Sequence, residues 1–253
     1  MRALLKSIWV REAFYPSYFL GVWINPFFII RRGLIDGVRE ISTYIHGGKL
    51  LDVGCGSKPY EELFVVDEYI GIDIEVSGHS HASSKVDKFY DGKAIPFPNG
   101  HFDCVFSSEV FEHVFNLDEL LTEINRVLKT GGKFAFTCPF VWDEHEQPYD
   151  FARYTSFAIE HLLAKHGFTV VKLKKSTGYI ETVMQMLSAY LWQHVLPKNK
   201  YFKLIFTPLL IAPVNILGLL FKVIFPKNNN FYHNNIVLAE KGDQKLVMPK
   251  SMW

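Results

Sequence analysis

The sequence predicts an α/β fold, a seven-stranded and mostly parallel sheet with helices on both faces. Three observations predict it. From residue 49 onward, short apolar runs alternate with helical patterns, as chains of βαβ units do. The segment NLDELLTEINRVLKTGG places Leu117, Leu120, Leu121, Ile124, Val127 and Leu128 at intervals of three and four, one stripe facing a core. The run KLLDVGCGSKPY, residues 49–60, ends an apolar strand on an acid and two closely spaced glycines, at the carboxyl edge where such sheets bind ligands. A chain of 253 residues with 49% hydrophobic content can bury one core with an elaboration.

Taken in order, the first strand is expected at 49–53, the second at 68–74, the third at 85–90 and the fourth at 102–107. The helix that follows starts at Asn116, a capping residue with Glu119 three positions on, and ends with Lys129 and Gly131 as cationic last turn and left-handed stop. A fifth strand is expected at 133–140, a helix at 156–166 closed by Gly167, a sixth strand at 168–173 and a last strand at 235–240. The domain reading is an N-terminal helical extension (1–46), a core (47–177 and 234–243) and a hydrophobic helical insertion (178–233) between the sixth and seventh strands.

The net charge of +1, from 27 basic and 26 acidic side chains, offers no broad positive field, so nucleic acid is not an expected partner. Cys55, Cys104 and Cys138 are odd in number, lack CxxC spacing and sit in apolar runs, which suits reduced thiols in the cytosol. The N-terminal MRALLKSIWVRE, interrupted by Lys6 and Arg11, is not read as a signal peptide. Two uncharged stretches stand out: 204–221, eighteen residues long, and 13–30, broken by Pro16 and Pro26 and followed by Arg31 and Arg32. A single bilayer crossing by the insertion would put the sixth and seventh strands on opposite sides, where they could not pair. Two alternatives stay open: a membrane-surface or re-entrant helical element, or a helical cap packed on the core.

Gly54 and Gly56 allow tight torsions and clear side chains away from a cofactor. Asp73, nineteen residues after Gly54, has the spacing of a carboxylate that takes ribose hydroxyls. A dinucleotide site wants a third glycine where this chain has Pro59. Asp52, two residues before Gly54, would repel a pyrophosphate but suits an amino group and a sulfonium. The balance favours S-adenosyl-L-methionine over NAD.

LDVGCG, GIDI, YDGKAIPFPNGHFDCVFSSEVFEHV and RVLKTGGKFAFTCPF, in that order, resemble the motifs of class I methyltransferases, specifically the type 11 methyltransferase domain, over about residues 47–175. The resemblance implies a Rossmann-like core and gives Asp52, Gly54, Cys55 and Gly56 to the methionine part of S-adenosylmethionine. It gives Asp73 to the ribose hydroxyls, Ile74 to the adenine ring, Asp91 to the adenine amino group, and Ser108 and Glu109 to the methionine side of the cleft. Gly92 stands where the family has another small residue. The block PFVWDEHEQPYDFARYT and the hydrophobic inserts are similar to methyltransferases found among bacterial surface-polysaccharide genes. That implies a small-molecule, glycan or lipid-linked acceptor at the inner face of the cytoplasmic membrane.

Methyl transfer from a sulfonium is an in-line displacement, with a base needed only where the acceptor loses a proton. Glu109, Glu112 and His113 are candidate bases, expected on one face of a helix after the fourth strand, with His113 taken as catalytic. Their E-x-x-E-H pattern resembles one that holds a divalent metal in quinone-pathway O-methyltransferases, yet acids in a first turn equally offset the helix dipole, and no metal is assigned. In DEHEQPYDFARYT, residues 143–155, His145 is a candidate base. Arg153 either grips an anionic acceptor or pairs with Asp150. His79 and His81 are read as loop residues. A short-chain dehydrogenase or epimerase would need a tyrosine four residues before a lysine, and none of the twelve tyrosines has one. A cofactor-binding, membrane-associated scaffold without turnover is the non-enzymatic alternative.

Overall fold

The computed structural model describes residues 10–75 and 84–242; His79 and His81 lie outside them. The strands are β1 (Lys49–Val53), β2 (Glu68–Ile74), β3 (Lys88–Tyr90), β4 (Phe102–Ser108), β5 (Leu128–Pro139), β6 (Phe168–Lys175) and β7 (Asn234–Lys241). They form one sheet in the order β3-β2-β1-β4-β5-β7-β6. β1 pairs in parallel with β2 (Lys49 opposite Glu68) and with β4 (Leu50 opposite Cys104), and β2–β3 and β4–β5 are also parallel. At the other end, Ser176 N donates to Asn234 O and Gly242 N to Gly167 O, so β6 and β7 run antiparallel. The order reverses between β1 and β4, and a parallel sheet leaves its ligand crevice at the carboxyl ends of such a pair.

The α-helices are α1 (Gly21–Ile24), α2 (Phe28–Ser42), α3 (Leu117–Val127), α4 (Ser156–Lys165), α5 (Tyr179–Tyr190), α6 (Lys200–Phe206) and α7 (Ala212–Ile224). The chain divides into two compact units, Val38–Lys174 with Asn235–Trp253, and Met1–Gly37 with Lys175–Asn234. The N-terminal extension as far as Gly37 and the insertion, separate in the sequence, thus belong to one unit, while residues 38–46 belong to the other.

In the first unit the stripe of α3 (Leu117, Leu120, Leu121, Ile124, Val127) is buried with Leu51, Val53, Val105, Phe134, Phe136, Ile159 and Leu163. Phe111 stacks on Phe136 with centroids 4.6 Å apart. Two expectations are corrected here. Asn116 stands at the N-cap of α3, but its side chain makes no capping bond and instead donates to Glu119 Oε1. The helix also stops at Val127, short of Lys129, because Leu128 turns extended and pairs with Phe102 of β4. Gly131 keeps the expected positive φ of 75°, but within β5. Of the last carbonyls of α3, Arg126 O and Val127 O accept from the N–H groups of Gly100 and His101, and Asn125 O accepts from Lys241 Nζ, which also donates to Leu128 O, a cation placed where the helix dipole is negative.

In the second unit α5 continues into a π-helical turn at Leu191–Val195, and α6 continues through a second one, Thr207–Ile211, into α7. Residues Lys200–Ile224 are therefore one run of 25 helical residues. Met184 and Val214 are buried with Val22, Phe28 and Ile29.

Candidate active site

The site is built at the tip of β1. Gly54 has φ +72°, and a Cβ there would lie 2.4 Å from Val110 Cγ2, so glycine is required on both counts. Gly56 has φ +47° with open space where a Cβ would stand. Its N–H donates to Asp73 Oδ2 (3.1 Å), and Ile74 N–H donates to Asp73 Oδ1 (2.8 Å). Asp73 is buried, and each oxygen, holding one N–H, keeps a lone pair for a ligand hydroxyl. A cavity of about 390 Å³ opens here, lined by Gly54, Asp73, Ile74, Tyr90, Asp91, Gly92 and Lys93 and, opposite, by Glu109, Val110, His113, Phe115, Glu119, Glu146, Tyr149 and Phe151 among others. Asp91 Oδ1 accepts from the N–H groups of Lys93 and Ala94, which hold its carboxyl below the usual range.

Asp52 is placed differently from the expectation. It is buried and accepts the Tyr69 hydroxyl at 2.7 Å, and it is not among the residues lining the cavity. Burial pushes its carboxyl up to about 7, so only about half of its charge is present near neutrality. Five other carboxylates lie on the cavity wall, Asp73, Asp91, Glu109, Glu119 and Glu146, against the single ammonium of Lys93. Cys55, Gly56 and Ser108 also stand off the wall. Cys55 is buried, with its thiol pushed up by burial, and its Cβ and Sγ would lie within 2.8 Å of any Cβ on Gly71. The Ser108 hydroxyl lies 2.9 Å from Thr137 Oγ1, which donates to Glu109 Oε1 at 2.7 Å. Since that proton goes to Glu109, Ser108 is the donor of the first bond, and the relay holds Glu109 on the wall.

The stretch after β4 is a three-residue 3₁₀ turn, Phe111–His113, preceded by Glu109 at φ +55°. It is too short to align Glu109, Glu112 and His113 on one helical face, which corrects that expectation. Glu112 points inward. It is 1% exposed, neither carboxylate oxygen has a hydrogen bond, and burial, with the nearby charge of Glu109, raises its pKa well above the ordinary value. The His113 imidazole faces the cavity. Its Nδ1 lies 2.7 Å from the Tyr149 carbonyl, which can only accept, so Nδ1 carries the proton and Nε2 is the free lone pair. Burial lowers the His113 pKa. His145 stacks edge-on against it, ring centroids 4.8 Å apart, and one ligand atom from each of Glu112, His113 and His145 lies within 4.8 Å of the others. One carboxylate with two imidazoles is a set that suits a divalent transition metal.

Arg153 faces away from this purpose. Its guanidinium forms a fork on Asp150 (Nη2 to Oδ2 2.7 Å) and also donates to Ala152 O and Asp143 O. Neither Arg153 nor His145 lines the cavity. The loop is anchored further by Asp150 Oδ2, which accepts His145 N–H, and by Phe151 N–H on Glu112 O. Arg153 is thus a loop clamp, and the anionic-acceptor role is set aside. The clamp holds the Asp150 carboxyl down to about 2. A depressed carboxyl contributes stability that is complete above its unfolded pKa of about 3.9 and disappears as pH falls toward 2. Asp150→Asn is therefore expected to unfold at lower temperature than the parent at neutral pH, with the gap closing near pH 2 in thermal melts.

Residues 51–136 match the family described as methyltransferase domain. This segment is a class I, S-adenosylmethionine-dependent methyltransferase domain. The chain is similar to an uncharacterized protein of Methanocaldococcus jannaschii, 34% identical over 161 residues, covering 62% of this chain and 57% of that protein. It is also similar to a fatty-acid O-methyltransferase of Mycolicibacterium smegmatis, 31% identical over 103 residues, 37% of this chain and 38% of the enzyme. The chain therefore spans less than two thirds of either relative. Among solved structures, phosphoethanolamine N-methyltransferase 2 of Haemonchus contortus, in complex with S-adenosyl-L-methionine, shares the fold with a TM-score of 0.53 at 18% identity, over 92% of this chain and 59% of that one.

Within the methyltransferase domain and the loop that follows it, the aromatic end of the cavity escaped the sequence reading. Phe115 and Phe151 meet edge to face at 5.5 Å, beside Tyr149 and Val114. Phe115 is 80% exposed, and a large apolar side chain left on the surface just before Asn116 was the signal available.

Proposed function

We propose that the chain transfers a methyl group from S-adenosylmethionine to an oxygen of a small-molecule, glycan or lipid-linked acceptor. The observation that carries this reading is the cavity wall, where five carboxylates face one lysine beside the bare glycine turn. Such a wall attracts a sulfonium with an amino group and repels a pyrophosphate. Asp73 is suited to the ribose hydroxyls, Asp91 and Ile74 to the adenine end, and Glu109 to the amino-acid end.

S-adenosylmethionine, when bound, supplies an electrophilic methyl group. The chain's own contribution is to align an acceptor with it and to receive a proton. His113, neutral and with Nε2 directed at no hydrogen-bond partner, is the imidazole on the wall suited to take that proton. The apolar end made by Phe115, Phe151 and Val114 supports an acceptor with a hydrophobic part, as does the likeness to a fatty-acid O-methyltransferase. A lipid-linked glycan is the acceptor implied by the resemblance of residues 139–155 drawn from the sequence alone. The three cysteines, buried and unpaired, support a reducing, cytoplasmic location.

Calorimetric titration with S-adenosylmethionine and with NAD, followed by an acceptor screen with isotopically labelled donor, tests the reading. Heat from the first ligand alone and label in a lipid or glycan fraction are expected. Heat from NAD, or donor binding with no acceptor labelled, would count against it.

A further inference from the structure

The unit formed by Met1–Gly37 and Lys175–Asn234 exposes apolar stripes and buries polar side chains beside its small apolar cluster of Val22, Phe28, Ile29, Met184 and Val214. Along α5 the residues spaced at four, four and three, Tyr179, Val183, Leu187 and Tyr190, are all exposed, by 41–57%. The opposite face carries Thr182, Gln185 and Ser188, each 0% exposed. Helices at a water interface do the reverse.

The buried polar groups are not orphans. Gln185 Nε2 donates to Pro26 O, and its Oε1 accepts from the N–H groups of Ile29 and Ile30. Ser188 donates to Asn215 Oδ1, while Asn215 Nδ2 donates to Val22 O and Asn25 O. At Gly218 a Cβ would lie 2.7 Å from Ile29 Cδ1. Small residues and interhelical polar bonds inside, with apolar side chains outside, are how helices associate when their surroundings are hydrocarbon. The α6–α7 run repeats the pattern: Leu209, Ile216, Leu220 and Val223 are 40–82% exposed.

Charge identifies the occupant. The described residues of this unit carry nine lysines and arginines against three acids, Glu12, Asp36 and Glu181, although the whole chain has a net charge of only +1. Lys198, Lys200 and Lys227 are exposed beside the apolar stripe, Lys222 is exposed but paired with Glu181 at 2.8 Å, and Lys203 Nζ sits 4.1 Å from the centre of the Trp192 ring. A second copy of this face would bring like charges together, whereas anionic headgroups would neutralise them. The antiparallel β6–β7 pair, joined at Ser176 and Asn234, requires the insertion to leave and return on one side, so it does not cross a bilayer once.

We propose that the 179–225 helical segment docks this unit onto an anionic lipid bilayer, with its apolar stripe in the headgroup and acyl boundary and its lysines on the lipid phosphates. The proposal does not depend on the identity of the methyl acceptor.

The test is co-sedimentation of the full chain with phosphatidylcholine vesicles, with and without phosphatidylglycerol, for the parent, Ile205→Ser/Leu209→Ser and Lys198→Glu/Lys227→Glu. Thermal melts and S-adenosylmethionine titration serve as folding controls, and sedimentation equilibrium without vesicles gives the oligomeric state. The parent is expected to bind the phosphatidylglycerol vesicles, and each double variant to bind them at least about tenfold more weakly with an unchanged melt. Binding that is absent from the parent, equal with and without phosphatidylglycerol, or unaffected in folded variants would overturn the proposal. So would a parent dimer that Ile205→Ser/Leu209→Ser converts to monomer.

Discussion

Asp73→Ala is expected to weaken S-adenosylmethionine binding by about 100-fold, close to 3 kcal/mol. Two effects combine. The ribose hydroxyls lose a charged acceptor, and hydrogen bonds to charged groups are worth about 1.5–3 kcal/mol. The carboxylate also ties Gly56 N–H to Ile74 N–H, so removing it leaves two donors unpaired and loosens the glycine turn on the cofactor side. Asp73→Asn retains one acceptor oxygen and nearly the same volume, and is expected to fall between the two. Calorimetric titration measures the affinities, and thermal melts of the same samples separate loss of binding from loss of fold. An affinity unchanged in a folded Asp73→Ala protein would remove this residue from the cofactor site.

What the sequence could deliver depended on how local the determining physics was. β1 and β2 match their expected ends residue for residue, because each is a short apolar run with a turn signal at its border. β5 does not, since its first residue is set by pairing with Phe102 across the sheet, and a helical stripe that includes Leu128 gives no hint of that. Gly54, Gly56 and Asp73 were legible because backbone torsion and strand-end spacing are one-dimensional properties. Asp52 was not: burial raises its pKa and its carboxylate is tied to Tyr69, seventeen residues away in sequence and one strand over. Arg153 and Asp150 are three residues apart, yet choosing between an acceptor grip and a clamp required the two carbonyls, Asp143 O and Ala152 O, that take the remaining bonds of the guanidinium's two Nη groups. The convergence of His145 with Glu112 and His113 is likewise tertiary. Only the fold of the 143–155 loop, pinned by Phe151 N–H on Glu112 O, brings it about.

His113→Ala is expected to lower kcat by about 10²–10⁴, the usual range for a positioned acid or base, with S-adenosylmethionine affinity little changed. The bond from Nδ1 to the Tyr149 carbonyl fixes the ring and leaves Nε2 as acceptor, and burial keeps the imidazole neutral by lowering its pKa from the ordinary value near 6.5. The sign of the pH dependence follows: only the neutral ring accepts a proton, so activity should hold at neutral pH and fall with acidification through a pKa below about 6.5. In His113→Ala that acid limb should vanish from the kcat/KM profile. Chelator treatment of the parent distinguishes the two chemistries available to the cluster. If His113 acts as base, activity survives chelation and is lost only on substitution. If Glu112, His113 and His145 instead hold a catalytic metal, the chelator abolishes activity, and His145→Ala should then be as damaging as His113→Ala, although His145 does not line the cavity.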